Sequence, residues 1–171
     1  NSTTYVEVTL TPKSLSATFD AAAGSTISIG QDGKVVIPAN AIAKLDGTPY
    51  QGSVRAYAVW LDPSRPDTYQ KMPGDLRAID ADGIASMLKT YGMIGVELES
   101  PAGEKLNLAA GQTAKISMSV PAAMRNSAPS GIPLWHFNRD NGYWEEEGSA
   151  TLINGVYEGT VPHFSFWNCD V

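Results

Sequence analysis

An all-β fold, a two-sheet antiparallel β-sandwich with one irregular insertion and room for one short helix, is what this sequence predicts. Three observations carry that expectation. Apolar residues recur with a period of two along most of the chain. The apolar runs are short, about ten in number, with turns every few residues. Several of the breaks are Asp-Gly or Asn-Gly pairs, strong hairpin signals.

Taken in order, "YVEVTL" sets Val6, Val8 and Leu10 on one face of a first strand. "STISIG" and "KVVI" form a pair across "QDG", where Gly33 can take positive φ. "IPANAI" reads as a strand running into a turn, because Pro38 cannot donate to a ladder. "SVRAYAVWL" alternates Val54, Ala56, Ala58 and Trp60 against Arg55, Tyr57, Val59 and Leu61. Both sets are largely apolar, so this strand is expected to be covered on both sides. From Asp62 to Leu88 the period is lost, and "DPSRPDTYQKMPGD" predicts an irregular excursion. "DGIASMLKTYG" can hold the short helix, capped by Asp82 and ended at Gly92. "TAKISMSV" is a half-buried strand with Ala114, Ile116, Met118 and Val120 inward. "IPLWHFN", "GYWEEEG", "ATLI" and "GVYEGTV" read as hairpins turned by "RDNG" and "NG". "VPHFSFWNCDV" closes the chain as a last strand. No internal repeat or low-complexity linker divides it.

Bulk composition narrows the function classes. The 171 residues are 43% hydrophobic and 18% charged, with a formal net charge of -6. Such a chain can bury a core without staples. Twelve Lys and Arg, scattered singly, give no cationic footprint for a phosphate backbone, so nucleic acid is not an expected partner. Cys169 is the single cysteine, which excludes an internal disulfide and a thiolate metal cage. No apolar stretch approaches membrane-spanning length. The polar opening Asn1-Ser2-Thr3, without a signal-peptide-like lead, and the abrupt end at Asp170-Val171 suggest a segment of a longer polypeptide.

Candidate site residues are few. His136 and His163 lie on separate predicted strands and can be neighbours, but two histidines lack a third ligand at suggestive spacing, so no metal is expected. "DADG" at Asp80–Gly83 is part of a calcium-loop pattern whose bidentate glutamate is replaced by Tyr91. Glu145, Glu146 and Glu147 read as a solvated strand edge. Trp60, Trp135, Trp144 and Trp167 raise an aromatic sugar-binding platform, with Trp135 and Trp144 its best members, against the ordinary use of tryptophan as core. Nucleotide loops, serine elbows and paired carboxylates are absent from the sequence.

The order of motifs resembles the ZU-type domain, named for zonula occludens, uncoordinated receptors and ankyrins. "GSTISIGQDGKVVIPANAIAKLDGTPYQGSVRAYAVWLDP" carries its glycine-led strand pair, its "IP-x-x-A-I" turn and its long strand. "YGMIGVELESPAGEKLNLAAGQTAKISMSVP" is similar to its middle. "IPLWHFNRDNGYWEEEG" and "YEGTVPHFSFWN" resemble the module in cartilage intermediate layer protein and in bacterial surface proteins with carboxypeptidase-regulatory-like domains. The resemblance divides the chain into an N-terminal strand or linker segment, 1–23, and a ZU-like sandwich, 24–171. It implies a non-enzymatic spacer, adhesion or interaction module of an exported protein, periplasmic, outer-membrane-anchored or at the cell surface. No cofactor is implied; the partners would be a protein or cell-surface polymer and neighbouring domains of the same polypeptide.

The resemblance also gives "His-Phe-Ser" a meaning, since some ZU-type domains and self-cleaving nucleoporins cut between the aromatic and the serine. His163, Phe164 and Ser165 match, with Phe164-Ser165 the scissile bond. In a regular strand side chains at i and i+2 are about 7 Å apart, too far for His163 to accept the Ser165 proton. Neither Gly nor Pro falls inside "HFSFW" to kink it. Phe164 and Phe166 are expected to face one way and Ser165 and Trp167 the other. The bond is expected to stay intact.

Overall fold

The computed structural model describes residues 9–171. Its strands are β1 (Ala17–Asp20), β2 (Ser25–Ile29), β3 (Gly33–Ile37), β4 (Ile42–Lys44) and β5 (Ser53–Leu61). After the insertion come β6 (Arg77–Ile79), β7 (Ala85–Met87), β8 (Thr90–Glu99), β9 (Lys105–Leu108) and β10 (Ala114–Ser119). The last four are β11 (Gly131–Asn138), β12 (Tyr143–Ile153), β13 (Val156–Val161) and β14 (Phe166–Asp170). They form one large sheet in which ten run in the order β1-β5-β8-β14-β11-β12-β13-β10-β3-β2, while β4, β6, β7 and β9 pair off this path. Its two ends, β1 and β2, approach each other, so the sheet wraps round its own core and nearly closes. The predicted sandwich is present in this curled form.

Inside the curl lies the main core, with Ile27, Val35, Ile94, Ile116, Leu134, Tyr157 and Trp167 all at or below 2% exposure. Alternation puts the adjacent residues on the other face, where a second cluster gathers Leu61, Met72, Ala78, Leu88, Met93, Trp135 and Trp144. This outer cluster is covered by the insertion. The 62–88 excursion is therefore less irregular than expected: a four-residue helix α1 (Thr68–Lys71) and the β6–β7 hairpin sit within it. β6 runs parallel to β12, pairing Ala78 with Trp144, and the Trp144 indole Nε1 donates to the Asp75 carbonyl at 2.7 Å.

Other expectations need correction. The helix predicted from Asp82 to Gly92 is strand instead, β7 and the start of β8. Asp82 does not cap it, because Asp80 Oδ1 accepts from the Asp82 and Ile84 amides at 3.0 and 2.7 Å and closes a hairpin turn. Positive φ in the β2–β3 turn falls at Gly30, not Gly33. "GYWEEEG" and "ATLI" are one strand, β12, continuous through Gly148 at φ +85. Of the glutamate run, Glu145 pairs with His136 on β11 and with Ile79 on β6, and Glu146 pairs with Trp135, so β12 is no free edge strand there. The strand read at "YVEVTL" falls mostly outside the described residues; Thr9 and Leu10 are not in a strand. β1 lies within segment 1–23, pairs with β5 and precedes the fully buried Ala21.

One buried group makes stability depend on pH. Asp170 is fully buried; Asn168 Nδ2 donates to its Oδ2 at 2.6 Å, and burial pushes its carboxyl well above the usual range. The folded state then holds a proton that the unfolded chain releases above the ordinary Asp value. This contribution is present at low pH and is lost as pH rises through the folded pKa. Asp170→Asn is expected to raise stability at pH 7 by roughly 1–3 kcal/mol, with the gain shrinking toward pH 4. Urea melts of both proteins at the two pH values check this; a gain that grows on acidification would reverse the sign.

Candidate functional site

The site is built around the bend 162–165 between β13 and β14. Pro162 ends β13, since it has no amide to continue the ladder. "HFS" is therefore not regular strand, and the i, i+2 geometry expected there does not apply. Four polar contacts pin the bend. Trp167 Nε1 donates to the His163 carbonyl at 3.0 Å. Asn107, on β9, accepts from the Phe164 amide at 2.6 Å and donates to the Phe164 carbonyl at 3.2 Å. The Val96 amide donates to the Ser165 carbonyl at 3.1 Å. Phe164 enters the main core, while Phe166 packs on the outer cluster and Trp167 returns to the main core. The expected pairing of Phe164 with Phe166 is thus overturned by the bend.

With the bend fixed, His163 meets His136. The rings stand edge to face with centroids 4.9 Å apart. The buried Trp167 indole floors both, at 5.6 Å from His136 and 5.0 Å from His163. β12 supplies the carboxylates. Register pairs Glu145 with His136, and Glu147, two residues on, shares its face by alternation and reaches both imidazoles. Glu147 Oε2 is 3.0 Å from His163 Nε2 and 3.8 Å from His136 Nε2. Glu145 Oε2 stands 3.7 Å from His136 Nε2, and its Oε1 accepts from Asn138 and Asn141 Nδ2 at 2.9 and 2.7 Å. Those amides, Asn141 first, hold the Glu145 carboxyl below its usual range. Burial holds His136 below the ordinary histidine value, helped by His163 and opposed by Glu147 and Glu145.

This corner opens into a groove of about 470 Å3. Val96, Leu106, Asn107, Phe137, Arg139 and Ser165 are among the residues that line it. Sequence reasoning placed His163, Phe164 and Ser165 here and allowed His136 as a neighbour. It missed Glu147 and Asn107. Counting back from the "RDNG" turn puts Glu145 opposite His136, and alternation then puts Glu147 on the same face, so this signal was available; Asn107 has no mark in the sequence. The proposed platform residues lie elsewhere: Trp135 and Trp144 are 5% and 0% exposed in the outer cluster, with no free ring face for a sugar. Trp167 is fully buried too.

Catalytic alignment within "HFS" is incomplete. Ser165 Oγ donates to the Phe137 carbonyl at 3.3 Å, and His163 Nε2 faces Glu147. No hydrogen bond joins His163 to Ser165 among the described residues.

No family model matches the chain. A segment of human (Homo sapiens) cartilage intermediate layer protein 2 is 35% identical over 118 residues, covering 67% of this chain and 10% of that protein. The Mus musculus protein of the same name is 30% identical over 164 residues, covering 92% and 14%. Cartilage intermediate layer protein 1 of Sus scrofa is 35% identical over 122 residues, covering 70% and 20%. The chain carries a domain related to one in the cartilage intermediate layer proteins. It spans only about a tenth to a fifth of the length of these cartilage intermediate layer proteins. A match over 92% of the chain takes in most of the sandwich. No helix among the described residues is long and apolar enough to cross a membrane.

Proposed function

We propose that the chain is a non-enzymatic binding or spacer module within a larger exported protein. The observation that supports this most is similarity along 92% of the chain to a small part of a much longer protein named for an intermediate layer of cartilage, an extracellular tissue. A nearly closed sheet with a continuous core suits a unit that holds its neighbours apart. Assignment to the ZU-type group, and a place at a bacterial cell surface as an adhesion module or lipoprotein segment beside carboxypeptidase-regulatory-like domains, belong to the same proposal. They rest on the motif order.

One contact favours the self-cleaving alternative. Asn107 Nδ2 at the Phe164 carbonyl oxygen is where a donor to the tetrahedral oxyanion would stand. The hydroxyl and imidazole, however, are each engaged elsewhere, so we expect Phe164-Ser165 to remain intact. Intact-mass spectrometry of denatured protein should give a single full-length mass. Loss of a peptide beginning at Ser165, abolished by Ser165→Ala, would establish cleavage instead. Prolonged incubation with chromogenic ester, peptide and glycoside substrates should show no turnover, and a rate lost in His163→Ala would reject the non-enzymatic reading.

A further inference from the structure

The geometry points to a divalent transition-metal site, of the zinc class, formed by His136, His163 and Glu147. One ligand atom from each of the three lies within 4.8 Å of the others. A tetrahedral ion about 2.0–2.2 Å from its nitrogen and oxygen ligands places those ligands about 3.3 Å apart. The distances from Glu147 Oε2, 3.0 Å to His163 and 3.8 Å to His136, straddle that value. Two imidazoles and one carboxylate are the donor set of zinc sites that keep a fourth position open.

An ion pair between His163 and Glu147 accounts for only part of the corner. It leaves His136 Nε2 3.7 and 3.8 Å from two carboxylates, with no hydrogen bond among the described residues. A cation between the rings engages it. Glu145 and Glu147 bring one negative charge each, offsetting a divalent ion. The three ligands also come from a rigid frame. His136 and Glu147 lie on adjacent paired strands, and His163 is fixed through its carbonyl by Trp167. His136, His163 and Glu147 side chains are 19%, 34% and 43% exposed, so an ion has access, and both imidazoles line the groove. Water or a carboxylate or imidazole from a partner would complete the shell there, making the groove a metal-assisted contact.

The test uses tag-free, chelator-stripped full chain titrated with zinc chloride by calorimetry. The expected result is one ion per chain with a Kd tighter than about 10 μM, reversed by EDTA. Loss of an outer-shell partner already costs about 10–100-fold in metal affinity. Removing a ligand by His136→Gln, His163→Gln or Glu147→Gln should therefore weaken binding by at least about a hundredfold. In NMR spectra of the unaltered protein both imidazoles should respond to the same equivalent of zinc. Circular dichroism checks that each variant folds. Should the histidine variants fail to fold, the exposed Glu147→Gln and the wild-type imidazole signals still decide. No binding at 100-fold excess over that Kd, one imidazole responding alone, or full affinity retained in Glu147→Gln would overturn the site.

Discussion

Replacing Trp167 with alanine is expected to lower stability by about 3–5 kcal/mol, the range for removing a large aromatic from a core. The indole is fully buried in the main core and sits on β14, in the middle of the sheet between β8 and β11. Its loss leaves a cavity that two flanking strands cannot both collapse to fill. It also removes the donor to the His163 carbonyl and the floor beneath both imidazoles. Trp167→Phe separates these effects, since it keeps much of the packing and deletes only Nε1–H and part of the ring. That variant should cost about 1–3 kcal/mol, the range for a buried carbonyl left without its partner. Denaturant unfolding of the three proteins gives the comparison. Equal costs for alanine and phenylalanine would mean that the hydrogen bond, not the packing, holds the bend.

Gly24→Ala carries the second large effect, roughly 2–5 kcal/mol, from two sources. Gly24 has φ +70, which a side chain resists, and a Cβ there would stand 2.4 Å from the Ile37 carbonyl oxygen and 2.7 Å from the Ala39 amide nitrogen. Those neighbours are backbone at the end of β3, so they cannot swing aside. Gly103→Ala is the control: φ is +86, yet nothing lies within 4 Å of the added carbon. It should show the conformational strain alone, about 1 kcal/mol. The difference between the two thermal midpoints measures the close approach. Similar losses at both positions would show that the backbone at Ile37–Ala39 can yield.

The strands were legible where one face is core and the other solvent. "TAKISMSV" buries Ala114, Ile116, Met118 and Val120 as its alternation requires. "RDNG" and "NG" turn where they should, the second through positive φ at both Asn154 and Gly155. Legibility failed where a non-local contact overrode the local pattern. "DGIASMLKTYG" has plausible helix ends, but Leu88, just after β7, and Met93, on β8, are drawn into the outer cluster. The satellite core itself was invisible, because nothing local says that Trp144 will be covered by a distant Ala78. At the site, the residue types of "HFS" were readable and their geometry was not. Pro162 turns the chain one residue before the motif, and Asn107, 57 positions away in sequence, sets its shape.

The position of β14 gives the domain unequal mechanical ends. Among the described residues β1 is a terminal strand holding one neighbour through four residue pairs, from Ala17↔Ala56 to Asp20↔Ser53. β14 is gripped on both sides, by β8 and by β11. Tension transmitted along the polypeptide would peel β1 away first and lengthen the tether by a few residues, opening the seam with β2. The rest of the sheet would still be shut around the C-terminal strand. Such a unit would yield in steps under load, with a soft end that extends and a hard end that holds.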